Sequence, residues 1–203
     1  MPIRPVLVLS FLSFARAFLE GCIPQFHHSR HPHVCALDEG VGSLIVFATN
    51  KGELKLGAIT GEEDAKKKKK RWIAVDVNGN ACLVPSRDVK HVVPGGHTSG
   101  VAALSAHERE AARAVDEEAL AIPDVWEMLL EDTGTLAVPI TAICELLFGE
   151  TSSISCYATY TLLSSQQGRV YFKSLKDGTQ YSPRSEIEKE VTSVSPAPYC
   201  SDD

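Results

Sequence analysis

The sequence predicts an α+β fold: a small antiparallel β-barrel, SH3-like or OB-like, followed by a winged-helix domain. Three observations carry this. Residues 42–94 break into short apolar runs separated by turn residues, the apolar spacing becomes helical from Ser105, and a hairpin pattern returns from Arg169.

The 203-residue chain has 44% hydrophobic residues, the composition of a globular protein. Its longest apolar stretch, Val6–Ala15, is interrupted by serines and closed by Arg16. It falls short of the roughly 18 to 20 apolar residues of a spanning helix, so no membrane association is expected. Cys22, Cys35, Cys82, Cys144, Cys156 and Cys200 form no CxxC pair and read as reduced, mostly buried thiols.

Residues 1–40 read as a leader, arginine- and serine-containing with Glu20 its one acidic residue before Asp38. Such a composition points to an organellar transit peptide, with a secretory core as the other reading. Cys22, His27, His28, His31, His33 and Cys35 lie within it, but no predicted strand or helix would hold them as zinc ligands, and no metal site is assigned. The barrel occupies residues 41–95. Ser43–Thr49 and Glu53–Thr60 make a hairpin around Asn50-Lys51-Gly52, with Leu54, Leu56 and Ala58 alternating against Glu53, Lys55 and Gly57. Trp72–Val77 and Ala81–Val84 flank the Asn78-Gly79 turn, and Val89–Val93 supplies a fifth strand. Pro94–Gly100 is glycine-rich and reads as the start of a linker continuing to residue 104.

Residues 105–191 form the second domain. Ser105 and Glu108 match a capping box ahead of a helix over Ala106–Leu120. A second helix starts at Pro123 and stops at Gly134, and a third, Pro139–Phe148, stops at Gly149. Ile154–Leu163 is a fourth helix, then Arg169–Ser174 and Thr179–Ser182 flank the turn Lys176-Asp177-Gly178. Helices followed by a hairpin give the order of a winged helix. Ile187–Val191 adds a last half-turn, and residues 192–203 read as a disordered tail.

The net charge of -6 hides an uneven distribution. Residues 42–95 carry ten Lys/Arg against six Asp/Glu, residues 104–150 two against eleven, and residues 151–191 five against four. Any anion-binding surface therefore belongs to the first and last parts. The sharpest feature is Lys66, Lys67, Lys68, Lys69, Lys70 and Arg71 at a barrel edge. These cations would neutralise phosphates and supply salt-dependent, sequence-independent affinity, with Trp72, Trp126 or Phe47 stacking on bases where exposed. The same run also suits a solvated loop that keeps a strand edge from pairing, and the apolar neighbours of both tryptophans suit core positions. In the second domain Ile154–Leu163 would be the recognition helix, with Arg169, Lys173, Lys176 and Arg184 making backbone contacts from the wing. The acidic face from Glu108 to Asp132 repels phosphate and suits a protein contact. No catalytic constellation is found: His91, His97 and His107 are scattered, and there is no GxSxG, GxxxxGK[ST] or GxGxxG run.

The ordered set Gly42, Leu44, Phe47, Gly52, Leu56, Gly57, Trp72, Val75, Gly79, Val84, Val89 and Val93, then Leu146-Leu147-Phe148-Gly149 and Tyr171-Phe172, resembles the N-terminal region of plant and cyanobacterial exoribonucleases of the ribonuclease II/R family. The resemblance covers about residues 42–191. It implies a substrate-facing accessory region of a 3′-to-5′ RNA-degrading enzyme, in plants often organellar, hence a chloroplast expectation. It also implies that hydrolysis occurs in a later domain whose clustered aspartates hold magnesium. No such cluster occurs here, since Glu62-Glu63-Asp64, Asp116-Glu117-Glu118 and Asp202-Asp203 lie in the lysine loop, on a surface helix and in the tail. The expectation is an RNA-binding chain without catalytic activity or cofactor of its own, a truncated product or gene fragment. The alternative is a protein-interaction adaptor using its acidic half.

Overall fold

The computed structural model describes residues 40–63, 71–98, 100–175 and 178–194. The leader with its Cys/His run, Lys66–Lys70, Lys176 and residues 195–203 lie outside the described residues. Strands β1 (Ser43–Ala48), β2 (Leu54–Glu63), β3 (Arg71–Asp76), β4 (Ala81–Pro85) and β5 (Val89–His97) form an antiparallel sheet in the order β4-β3-β2-β1-β5. Four strands run as a meander and the fifth returns to pair with the first. Of the two barrel types open from the sequence, this is the SH3-like one. A single turn, Ser86–Asp88, joins the edges β4 and β5, so the sheet must curl on itself.

Both sequence-predicted hairpin turns have a physical closure. Gly52 and Gly79 have φ of 78° and 81°, which glycine adopts without steric cost. At the second turn the Asp76 carboxylate accepts from the N–H groups of Asn78 (3.0 Å) and Asn80 (2.9 Å) and from the Lys55 ammonium (3.2 Å). Burial acts to raise this carboxyl, but the bonds from Asn80, Lys55 and Asn78 outweigh it and hold Asp76 below the usual carboxylate range.

The period of two divides the barrel side chains between two cores. Ile45, Phe47, Ile59, Trp72, Ala74 and Val84 fill the barrel interior. Leu44, Val46, Leu56, Ala58 and Val93 point the other way, into a core shared with the helices. β1 is therefore buried on both faces, which is why its sequence is a continuous apolar run rather than an alternation.

The helical half contains α1 (Val101–Glu118), α2 (Ile122–Thr133), β6 (Val138–Pro139), α3 (Ile140–Phe148), α4 (Ser153–Ser164), α5 (Gln166–Tyr171), β7 (Phe172–Ser174), β8 (Gln180–Pro183) and α6 (Glu186–Val194). The small sheet has the order β6-β8-β7. Thus α2, β6, α3, α4 and the β7–β8 hairpin follow the winged-helix order. Gly134 and Gly149, both at positive φ, return N–H groups to Leu130 and Glu145 and end α2 and α3 where the sequence predicts.

Four readings need correction. β5 continues through Pro94-Gly95-Gly96 to His97 instead of releasing a linker, because Gly96 lies against Leu44 and Gly95 takes a φ of 66° beside a register shift. α1 starts at Val101, and Ser105 is no cap: its hydroxyl donates to the Val77 carbonyl at 3.0 Å and docks the helix on the barrel. Residues 166–171 are the helix α5, so Arg169 is helical and only Phe172–Ser174 is strand. α6 runs on to Val194, with a capping box that the sequence reading overlooked: Ser185 N–H donates to Glu188 Oε2 (3.0 Å) and Glu188 N–H to Ser185 Oγ (3.3 Å).

The barrel and the helices belong to one compact unit. α4 packs on α1, α3 and β5, and the His91 ring of β5 stacks on Tyr160 of α4 with centroids 4.6 Å apart and planes at 7°. Burial pushes the His91 imidazole down to about 4, opposed by the Gly178 backbone. The unfolded chain titrates near about 6.5, so between these values it binds a proton that the native state refuses. Stability is therefore lost as the pH drops from about 6.5 to about 4, by about 3 kcal/mol in all, and is fully present above this window. His91→Phe keeps the stack and is expected to flatten this part of a Tm-against-pH curve, whereas the same slope in both proteins would refute the assignment. The lowered pKa of partly buried His107 tilts both curves equally.

At Gly168 α5 crosses the end of α4 so closely that a Cβ would overlap the Leu162 carbonyl and the Leu163 Cα. Gly168→Ala should cost about 3 kcal/mol, or a Tm loss of about 6–12 °C. Gly61→Ala, whose Cβ would meet only Ile73 Cδ1 at 3.9 Å, is the near-neutral control in the same thermal melts.

Candidate nucleic-acid interface

The barrel end of the interface is reached through Arg71. It opens β3, stands opposite Glu63 on one side and Pro85 on the other, and pairs with Glu63 at 3.6 Å, both side chains about half exposed. Such an exposed pair is worth little and leaves the guanidinium competent to exchange partners. Lys66–Lys70 are outside the described residues, but their tether is not: segment 64–70 runs from Glu63 to Arg71, two residues that face each other across the β2–β3 ladder.

No stacking platform accompanies it among the expected aromatics. Phe47 and Trp72, 2% and 3% exposed, fill the barrel interior. Trp126, 4% exposed, lies beside Tyr171 at 5.5 Å between centroids and under the Lys189 ammonium at 4.0 Å, and its Nε1–H donates to the Arg184 carbonyl at 2.9 Å. All three serve packing. What sequence reasoning missed is the other face of β3, where Ile73 stands exposed and paired across to Leu83 of β4. The alternation around Trp72 contained that signal: if Trp72 and Ala74 point inward, Arg71 and Ile73 point out.

The wing brings together three of its four predicted cations. The Arg184 N–H donates to the Tyr171 carbonyl (2.8 Å) and its Nε to the Arg169 carbonyl (3.0 Å), tying β8 to α5. Arg169 and Lys173 are exposed. Lys173 and Arg184 both face Glu188, whose carboxyl is held below the usual range first by the Ser185 N–H and then by Ser185's hydroxyl and these charges. Lys176 lies outside the described residues. The expected recognition helix is overturned. In α4, Ser155, Cys156, Ala158, Thr159, Tyr160, Leu162 and Leu163 are all buried, because α1, α3 and β5 pack on this helix.

Glu110, Asp116, Glu117, Asp124, Glu127, Glu131 and Asp132 stand in solvent on α1 and α2, where the exposed cations Arg109 and Arg113 are outnumbered. Between α1 and α4 lies a surface groove of about 360 Å³ lined by Glu108, Arg109, Ala112, Val115, Tyr157 and Thr161. Cys144 and Cys156 are free and buried, with the Cys144 thiol donating to the Glu150 carbonyl at 3.3 Å. Among the described residues no group of three His, Cys, Asp or Glu side chains is arranged to hold a metal ion. No helix there is long and apolar enough to cross a membrane.

Two family models match this architecture in order: a CSD-like barrel domain of ribonuclease II over residues 40–100, and the ribonuclease II winged helix domain over residues 106–188. The chain belongs to the ribonuclease II family. It is 31% identical over 150 residues to an uncharacterized ribonuclease of the cyanobacterium Synechocystis sp., a match covering 73% of this chain and 20% of that relative. The chain thus spans about a fifth of the length of the curated relative that it matches. No solved structure matches it at a significant level.

The buried tryptophan supports a simple test. Trp126→Phe removes the N–H bond to Arg184 and part of the cation contact with Lys189, and is expected to cost about 1–2 kcal/mol in denaturant titrations. Affinity for single-stranded RNA should stay unchanged in the folded variant, and a weakened affinity would restore Trp126 as a stacking residue.

Proposed function

We propose that this chain binds single-stranded RNA without sequence preference and guides it, as an accessory region, toward a 3′-to-5′ exonuclease active site of the ribonuclease II type. The observation that carries this reading is the run of six consecutive cations, Lys66–Arg71, whose last member opens β3 of a barrel that a ribonuclease II-family model matches. Six consecutive cations there supply phosphate neutralisation, and Arg169, Lys173 and Arg184 add a second cationic site on the wing. No catalytic role is assigned to the chain itself, because its acidic pairs include no aspartate cluster of the kind that holds magnesium for phosphoryl chemistry. Hydrolysis, and the magnesium that supports it, would belong to a separate domain of the same family.

A second reading, a protein-interaction adaptor, is favoured by the solvent-facing carboxylates of α1 and α2, which repel phosphate and attract basic partners. The two separate in one experiment. With Lys66–Lys70 all replaced by Gln, RNA affinity should drop and the slope of log K against log salt should flatten by roughly 0.7 for each phosphate that is no longer neutralised. An affinity and slope equal to those of the unaltered chain would leave the adaptor reading in possession.

A further inference from the structure

We propose that the exposed Ile73–Leu83 pair on the outer face of β3 and β4 is a base-contacting shelf, on which nucleobases of single-stranded RNA lie while phosphates meet the cations at its end; this rests on the RNA-binding reading above. Ile73 and Leu83 are 37% and 48% exposed and are direct cross-strand partners. Their neighbours on the same face are small or short: Gly61 stands opposite Ile73 on β2, and Ala81 opposite Val75 on β4. A Cβ on Gly61 would reach Ile73 Cδ1 at 3.9 Å, so the absence of a side chain there uncovers the isoleucine. The register shift between Ile59 and Gly61 brings that glycine opposite Ile73, and the Thr60 hydroxyl bonds the Ile73 carbonyl at 3.2 Å across the irregularity.

The shelf has an electrostatic direction. Arg71 lies two residues before Ile73 on the same face of β3, opposite Pro85, and the highly exposed Arg87 follows in the next turn. Each has one carboxylate neighbour, Glu63 and Asp88, at 3.6 Å, an exposed pairing that a phosphate can displace. An apolar surface beside the two arginines matches a ligand with apolar faces and spaced anions, which is what an unpaired nucleic-acid strand presents. A protein partner fits less well. Two partly exposed side chains among small residues fall far short of the roughly 800 Å² per partner of a stable protein interface. With the barrel's Phe47 and Trp72 turned inward, aliphatic side chains take the place that aromatic rings hold on other single-strand binders.

Apolar contact with bases releases no counterions, so its removal lowers affinity without changing the salt slope, unlike the removal of a lysine. The test measures binding of a fluorescent oligouridylate to the full chain across a salt series. The double variant Ile73→Thr, Leu83→Thr keeps β-compatible residues at exposed positions and should bind roughly three- to tenfold more weakly at every salt concentration, with the slope intact. Leu83→Tyr supplies a ring and should bind more tightly, a gain that a folding defect cannot mimic. Unchanged affinity in both variants, while the Lys66–Lys70 variant weakens, would overturn the shelf and leave the RNA-binding reading standing. Unchanged affinity in all three would overturn both. A weakening accompanied by a flattened slope would also overturn the shelf, since it would show that phosphates rather than bases had been released.

Discussion

The structure depends on the burial of β1 on both of its faces. Ile45 and Phe47 close the barrel from inside, while Leu44 and Val46, one residue out of phase, enter the core built with α1 to α5. At about 25 cal/mol per Å² of buried apolar surface, such side chains each contribute about 1.5–3 kcal/mol, and here they do so for two bodies at once. A strand that serves two cores cannot slip its register, because a shift of one residue would exchange the two sets of side chains. The barrel and winged helix are thereby a continuous piece rather than two beads on a linker.

That continuity constrains what the winged helix can do. Its helix α4 occupies the sequence position of a recognition helix but is spent on packing: Tyr160 stacks on His91, and Leu162 and Leu163 are buried. The contact is locked from two more sides. Gly178, at the wing tip, comes so near the Lys90 carbonyl that a Cβ there would stand 2.5 Å away, and Ser105 ties α1 to the β3–β4 hairpin. Cationic surface is left at the periphery, at the β2–β3 end of the barrel and along the outer side of the wing. Under the RNA-binding function proposed above, a strand would track edges and an open sheet face rather than meet a free recognition helix.

Local chemistry made much of this legible. The Asn-Gly turn, the glycines ending α2 and α3 and the alternation of β2 are effects of neighbours within a few residues, and they occur where the sequence puts them. The misreadings arose where distant atoms outweighed neighbours. Pro94-Gly95-Gly96 has the composition of a linker, yet pairing with β1 and contact with Leu44 keep it in the sheet. Ser105 has the spacing of a cap, yet its hydroxyl is claimed by Val77, 28 residues earlier. In the candidate site, the charges could be found by inspection, but the exposure of the aromatics could not. Trp72 and Trp126 are as suited by type to stacking on a base as to filling a core, and only the neighbours brought in by folding distinguish the two.

The α+β class, the order of barrel and winged helix and the uneven placement of charge could be read from the amino-acid order alone, because each follows from local periodicity, turn chemistry or counting, and the family showed as a resemblance in an ordered set of glycine and hydrophobic positions. Folding had to supply the rest: that the barrel is the meander type, that α4 is covered, that Phe47, Trp72 and Trp126 are buried, and that Ile73 and Leu83 meet on an open face. Those outcomes depend on pairing and burial between residues far apart in the chain. A strand's period of two says which side chains share a face, but not which face another element will cover.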